Sequence, residues 1–224
     1  MKYRSIAVDG PSGAGKSTMA RMVARALGFL YVDTGAIYRT LALFALREGA
    51  APADAQAVAG LLPRAGIRMG YGEDGGQRMY LNGEDVTEAI RTPEVSAAAS
   101  QVSAHPQVRA FLLDMQRDLA KTRNVIMDGR DIGTVVLPDA DVKIFLTASA
   151  EDRARRRLAE LLERGEQIRF DTVLSDITER DRRDSTRSAA PLRQAEDALL
   201  VDTTDKSLEE SFALLLQTIQ EKLA

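Results

Sequence analysis

IAVDGPSGAGKST, residues Ile6 to Thr18, joins a short apolar run to a helical pattern that continues from Lys16 to about Leu27. Its centre, Gly10-Pro11-Ser12-Gly13-Ala14-Gly15-Lys16-Ser17, has the glycine and lysine spacing of a phosphate-binding loop. Glycines let the backbone turn, inward-pointing amides meet phosphate oxygens, and the following helix presents the positive end of its dipole. Lys16 would reach the β- and γ-phosphates of a nucleoside triphosphate, and Ser17 would offer its hydroxyl to Mg²⁺, a hard cation that shares oxygen ligands with the nucleotide. Gly10 through Thr18 form the expected nucleotide-binding segment.

Outward from this loop, apolar runs recur at Ser5 to Val8, Leu30 to Val32, Val125 to Met127, Val142 to Leu146 and Leu199 to Val201, with helical patterns between them. Near-continuous apolar strands separated by helices predict a parallel sheet covered on both faces, with ligands at the carboxyl ends of its strands. Three of the runs end in Asp beside a turn residue: Asp9-Gly10, Asp33-Thr34-Gly35 and Asp128-Gly129. The expected fold is therefore α/β, a three-layer P-loop NTPase domain over residues 1–224 with a five-stranded parallel sheet. Residues 61–103 break the rhythm. Ile67 to Tyr71 and Gln77 to Leu81 flank Glu73-Asp74-Gly75-Gly76 and read as a β-hairpin, so this stretch is expected to be an inserted small β-containing subdomain. Helices are expected over Glu94 to Val102, from Pro106 to about Lys121, and over Ser207 to Leu223.

Composition narrows the chemistry. The 224 residues include no cysteine and one histidine, His105, which excludes disulfides, thiolate catalysis and multi-histidine metal centres. A net charge of −3 and the absence of tryptophan speak against a nucleic-acid partner. No apolar run approaches the ~18 residues that would span a bilayer, and Met1-Lys2-Tyr3-Arg4 leads straight into the first strand, so neither a leader nor a membrane partner is expected and a cytoplasmic location is. Of the 30 basic residues 24 are arginine, whose planar guanidinium grips phosphate through paired hydrogen bonds.

The loop alone states only that a nucleotide binds. Tyr38, in the opening turn of a helix that follows Asp33, would lie along a substrate ring or phosphate, and Arg39 beside it would clamp an anionic oxygen; the same residues also suit an ordinary helix start. Asp128 stands where a strand-end carboxylate would hold Mg²⁺, with Arg130 beside it for an acceptor phosphate and Asp131 free to read a base; Asp-Gly is equally a common turn. Arg153, Arg155, Arg156 and Arg157 lead into Glu163-Arg164-Gly165-Glu166, which reads as a short lid over residues 153–169 or as a solvated helical face. Lys16, Asp128, Arg130 and Arg157 make up the expected catalytic set. His105 precedes Pro106 in a loop and is expected to be structural.

Taken in order, GPSGAGKST, DTGAIYR, IRTPEVSAAASQVS, DGRDIGTVVLPDADVKIFLTAS and RDRRDSTRSAAPL span nearly the whole chain, which thereby resembles the cytidylate kinases of the P-loop nucleoside-monophosphate kinase family. The resemblance implies transfer of the γ-phosphoryl group of ATP to CMP or dCMP by a monomer, with the insert binding the monophosphate. It implies Thr34, Arg180 and Asp184 around the pentose, Arg39, Arg130 and Arg187 around the acceptor phosphate, and Ser100, Arg109 and Asp131 on cytosine. Cytosine shows an amino donor beside acceptors, so a carboxylate and a guanidinium suit it, and uracil reverses part of that pattern. A kinase for UMP, AMP or shikimate is the nearest alternative. A nucleotide-switched binding protein would need a guanine-reading Asn-Lys-x-Asp motif or a basic, aromatic surface, and neither is apparent.

Overall fold

Strand β1 (Ser5–Asp9) buries Ile6, Ala7 and Val8 completely, as a strand covered on both faces must. The computed structural model describes residues 3–163 and 165–223. After β1 come α1 (Lys16–Leu27), β2 (Leu30–Asp33), α2 (Thr34–Arg47), α3 (Ala55–Leu61), β3 (Ile67–Tyr71), β4 (Gln77–Leu81), β5 (Glu84–Asp85), α4 (Pro93–Val102) and α5 (Pro106–Thr122). The chain continues through β6 (Val125–Gly129), β7 (Val142–Thr147), α6 (Ala150–Glu163), α7 (Phe170–Thr186), β8 (Leu199–Asp202) and α8 (Leu208–Leu223). It divides into two compact units, one made of residues up to Tyr31 and from Thr122 onward, the other of Val32–Lys121.

The first unit is built on the five-stranded sheet, in the order β2-β6-β1-β7-β8. β1 runs parallel to β6, with Val8 opposite Asp128, and parallel to β7; β7 runs parallel to β8. All five strands fall where the apolar runs place them. Ile6, Val8, Ile126, Ile144 and Val201 pack against Met19, Ala20 and Val23 of α1 and Leu215 and Ile219 of α8. Separately, Ala154 and Leu161 of α6 pack on Val173 and Ile177 of α7, making a helical hairpin with its own small core. Arg164, part of the expected lid, lies outside the described residues. Among the described residues no helix is long and apolar enough to cross a membrane.

In the second unit β3, β4 and β5 form an antiparallel sheet, closed by a turn at Gly75 with φ 71°. A two-stranded hairpin is marginal alone, so its apolar side needs a helix to cover it. Ile37, Leu41 and Phe44 of α2 provide that cover together with Val95 of α4 and Leu112 of α5, around Met79, Leu81 and Ile90. The compact unit is accordingly wider, at residues 32–121, than the 61–103 segment singled out by its hairpin. Asp33 caps α2 by accepting from the Ala36 N–H at 2.9 Å. Because that cap makes Thr34 the first helical residue, Tyr38 and Arg39 stand in the second turn of α2, not in the opening turn expected for them. Helix α3 and a π-helical turn at Ile132–Val136 are too short to show a periodicity in the sequence.

Candidate nucleotide site

The segment between β1 and α1 turns with Gly10, Gly13 and Gly15 at φ 149°, 76° and 83°. At Gly10 a Cβ would stand 1.9 Å from the Leu146 carbonyl oxygen of β7, so only glycine passes so close to the sheet. Gly15 ends the loop as N-cap of α1 and has no side chain to cover the helix's first amides, which remain available to an anion. Thr18 is exposed on that first turn. Lys16 is buried and donates from Nζ to the Pro11 carbonyl at 2.6 Å. Burial, with the positive charges of Arg130 and Arg180, holds its ammonium well below the ordinary lysine range, against the opposing pull of Asp128 and Asp9.

Asp128 ends the buried part of β6, beside β1, and the parallel register sets it next to the loop. Its Oδ2 accepts from Ser17 Oγ at 2.6 Å and its Oδ1 from Tyr31 Oη at 2.9 Å. The two oxygens of Ser17 and Asp128 suit a cation that takes only a few protein ligands and keeps water and phosphate for the rest. Among the described residues no group of three or more His, Cys, Asp or Glu could hold a metal. Tyr31 escaped the sequence reading, because the pairing that sets it beside Asp128 spans 97 residues.

A second group gathers from the turn after β6 and from α7. Arg130 donates from Nε to Asp184 Oδ2 at 3.0 Å, and Arg187 pairs with buried Asp131 at 3.6 Å while its Nε donates to the Ala190 carbonyl at 2.8 Å. Arg180 lies one turn before Asp184 on α7, its charge within reach of Lys16. Asp9, read only as a strand end, turns out to anchor this turn: its two oxygens accept from the Ile132 and Gly133 N–H groups, both at 2.7 Å. Burial pushes the Asp9 carboxyl up to about 6, against the lowering effect of those two hydrogen bonds. The α6 arginines are divided. Arg153 is buried and bound to Ser12 O and Asp181, Arg155 pairs with Asp152, and Arg156 holds the Thr203 carbonyl at 2.7 Å. Arg157 is not brought to this group; it pairs with Glu160 at 3.0 Å on an exposed face.

The second unit carries its own cluster. Thr34 is buried at the start of α2, and Arg39 pairs with Asp33 at 2.8 Å. The Arg109 guanidinium lies 5.5 Å from the centre of the Tyr38 ring and donates to Ser103 O at 3.2 Å, at the end of the helix that carries Ser100. Gln77 of the hairpin, also missed, holds the Asp33 backbone on both sides, accepting from its N–H at 2.8 Å and donating to its carbonyl at 3.1 Å. His105 is buried and donates from Nε2 to the Pro52 carbonyl at 2.8 Å.

A parallel sheet whose first strand feeds a glycine loop, a buried lysine and a helix N-terminus, with a strand-end carboxylate on the helix's first hydroxyl, defines a nucleotide-binding protein of the P-loop class. A family model described as cytidylate kinase matches residues 6–221. The cytidylate kinase of Carboxydothermus hydrogenoformans is 50% identical over 97% of this chain and 97% of its own, and that of Shouchella clausii is 49% identical over 97% and 96%. The chain belongs to the cytidylate kinase family. Among solved structures, an uncharacterized protein from Eubacterium ventriosum is similar with a TM-score of 0.54 and 13% identity over 98% of this chain and 99% of its own, a likeness of fold alone.

Proposed function

We infer that the chain is a phosphotransferase that moves the γ-phosphoryl group of ATP to CMP or dCMP, giving ADP and CDP or dCDP. The observation that carries this reading is the family match from residue 6 to residue 221, joined by relatives named cytidylate kinase at about half identity over nearly their full length. In this reading Gly10 to Thr18 hold the ATP phosphates. Lys16, a buried ammonium already crowded by Arg130 and Arg180, gains most from a polyanion beside it. Ser17 and Asp128 hold Mg²⁺, which when bound supplies charge neutralisation on the phosphates.

On the acceptor side Arg39, Arg130 and Arg187 bind the CMP phosphate, Thr34, Arg180 and Asp184 the pentose, and Ser100, Arg109 and Asp131 the cytosine, with Tyr38 along the nucleotide. Arg130 and Arg187 are paired with Asp184 and Asp131, so each guanidinium is held oriented by a carboxylate before an anion arrives. The attacking phosphate oxygen is ionised at neutral pH, so the residues' work is alignment and neutralisation, without a general base. That agrees with the one histidine being occupied by a backbone carbonyl. Arg157, on the segment read as a lid over residues 153–169, adds positive charge when the exposed part of that segment closes and excludes water, while Arg153 stays held at the phosphate loop. We place the reaction in the cytoplasm, in pyrimidine nucleotide metabolism, and the protein as a monomer without a nucleic-acid partner.

The test is ADP formation from ATP and Mg²⁺ with CMP, dCMP, UMP, AMP or no acceptor. Turnover confined to CMP and dCMP is expected, since the cytosine amine and acceptor edge match Asp131 and Arg109. Acceptor-independent hydrolysis, or preference for AMP or UMP, would overturn the substrate assignment.

A further inference from the structure

Asp181 belongs to none of the groups assigned above, yet it stands at the back of the phosphate loop. Its Oδ1 accepts from the Ser12 N–H at 3.3 Å, and its Oδ2 pairs with Arg153 at 2.6 Å. Arg153 in turn donates from NH1 to the Ser12 carbonyl at 2.9 Å and from Nε to the Ala148 carbonyl at 2.9 Å. Both backbone groups of one loop residue are therefore held by one ion pair, whose arginine is 7% exposed and whose aspartate is 21% exposed. Packing repeats the link independently. A Cβ on Gly13 would touch Arg153 Cβ at 3.2 Å and Ile177 Cδ1 at 3.7 Å, so the loop rests directly on α6 and α7. Ile177 and Asp181 are one turn apart and share a face of α7.

The same helix carries Arg180 and Asp184 within a turn of Asp181 and ends in Arg187 as its C-cap, and Asp184 holds Arg130 at 3.0 Å. We propose that Asp181 is a positioning residue that couples the phosphate loop to the acceptor-binding end of α7, so that ATP on the loop strengthens CMP binding and sets the alignment for transfer. This rests on the phosphotransferase reading above. The chemistry requires a carboxylate: two oxygens accept at once from Ser12 and Arg153, whereas an amide offers one acceptor and turns an NH₂ toward the other donor. The coupling is reciprocal, so CMP tightens ATP by the same factor.

The experiment compares the full chain with Asp181→Asn and with Glu179→Gln, an exposed change on the same helix. Calorimetry measures CMP affinity with and without a saturating non-hydrolysable ATP analogue and Mg²⁺; steady-state ADP formation gives kcat, and thermal melting reports the fold. In the unmodified protein the analogue tightens CMP by at least about fivefold, and in Asp181→Asn this ratio falls to about one while each ligand alone keeps its affinity within about threefold. Its kcat falls roughly 10- to 100-fold, the effect of a small misalignment, and Glu179→Gln retains both ratio and rate. A ratio of about one in the unmodified protein, or a ratio preserved in Asp181→Asn, overturns the proposal. So does a loss of melting temperature and of both separate affinities together, which marks a purely structural residue. Unmodified protein that forms no ADP with CMP overturns the phosphotransferase reading itself; normal CMP turnover with an unaltered ratio in Asp181→Asn overturns only the coupling.

Discussion

Asp9 shows how one residue's burial becomes a pH dependence. Its folded pKa, pushed up to about 6 by burial from an ordinary 3.8, lies above the unfolded value. The folded chain thus favours the protonated form, so the Asp9 contribution to stability is full below about pH 4 and is lost as pH rises through about 6. Asp9→Asn carries no charge at any pH and exposes one of the two N–H partners to an NH₂ group, a fixed cost of about 1–3 kcal/mol. Urea denaturation of both proteins at pH 5 and 7.5 should find the unmodified chain ahead of the variant by a larger margin at pH 5, the margins differing on the order of 1 kcal/mol. Equal margins would assign Asp9 an ordinary pKa. This anchor was not legible beforehand: Asp9-Gly10 read as a strand end, and nothing near it in sequence names Ile132 or Gly133 as its partners.

At the scale of elements, the loop between β1 and α1 and the end of α1 both use glycine, for different reasons. Gly28, at φ 68°, closes α1 with its N–H on the Ala24 carbonyl, and a Cβ there meets nothing within 4 Å. A Cβ on Gly10 would instead stand 1.9 Å from the Leu146 carbonyl oxygen of β7, where no side-chain rotation gives relief. Gly28→Ala should therefore cost only the left-handed backbone, about 1–2 kcal/mol. Gly10→Ala should cost more than about 3 kcal/mol, because the loop must lift from the sheet, and it should also abolish binding of an ATP analogue. Equilibrium unfolding of the two variants decides; equal losses would mean the loop accommodates the added carbon. The turn at Gly10 is legible from the glycine spacing and from the end of the apolar run, while the severity at Gly10 comes from Leu146, a residue of another strand.

For the whole molecule, ligand binding supplies the test. A ligand bound only by the folded chain stabilises it by about 2.7 kcal/mol at 100 times its Kd, which for a chain of this size is a rise in melting temperature of roughly 5–10 °C. Such a rise is expected with the ATP analogue and Mg²⁺, a separate one with CMP, and a smaller one for the analogue after chelation of the metal. A chelator-independent rise would remove Ser17 and Asp128 from the metal-holding role.

Local physics encodes the run of apolar strands, the glycine loop at a helix start, the hairpin at Gly75, and the ordered motifs that carry the family resemblance, so all of these are legible in the residues alone. These depend on side-chain period and turn chemistry within a few residues. Which residues meet across long stretches of chain follows from the folded arrangement. Tyr31 reaches Asp128 across 97 residues, Asp9 reaches Ile132 across 123, and Asp181 reaches Ser12 across 169. Strand order and helix docking set those partners, and burial then makes them consequential: a charged or polar group removed from water must find its complement among whatever the fold brings near.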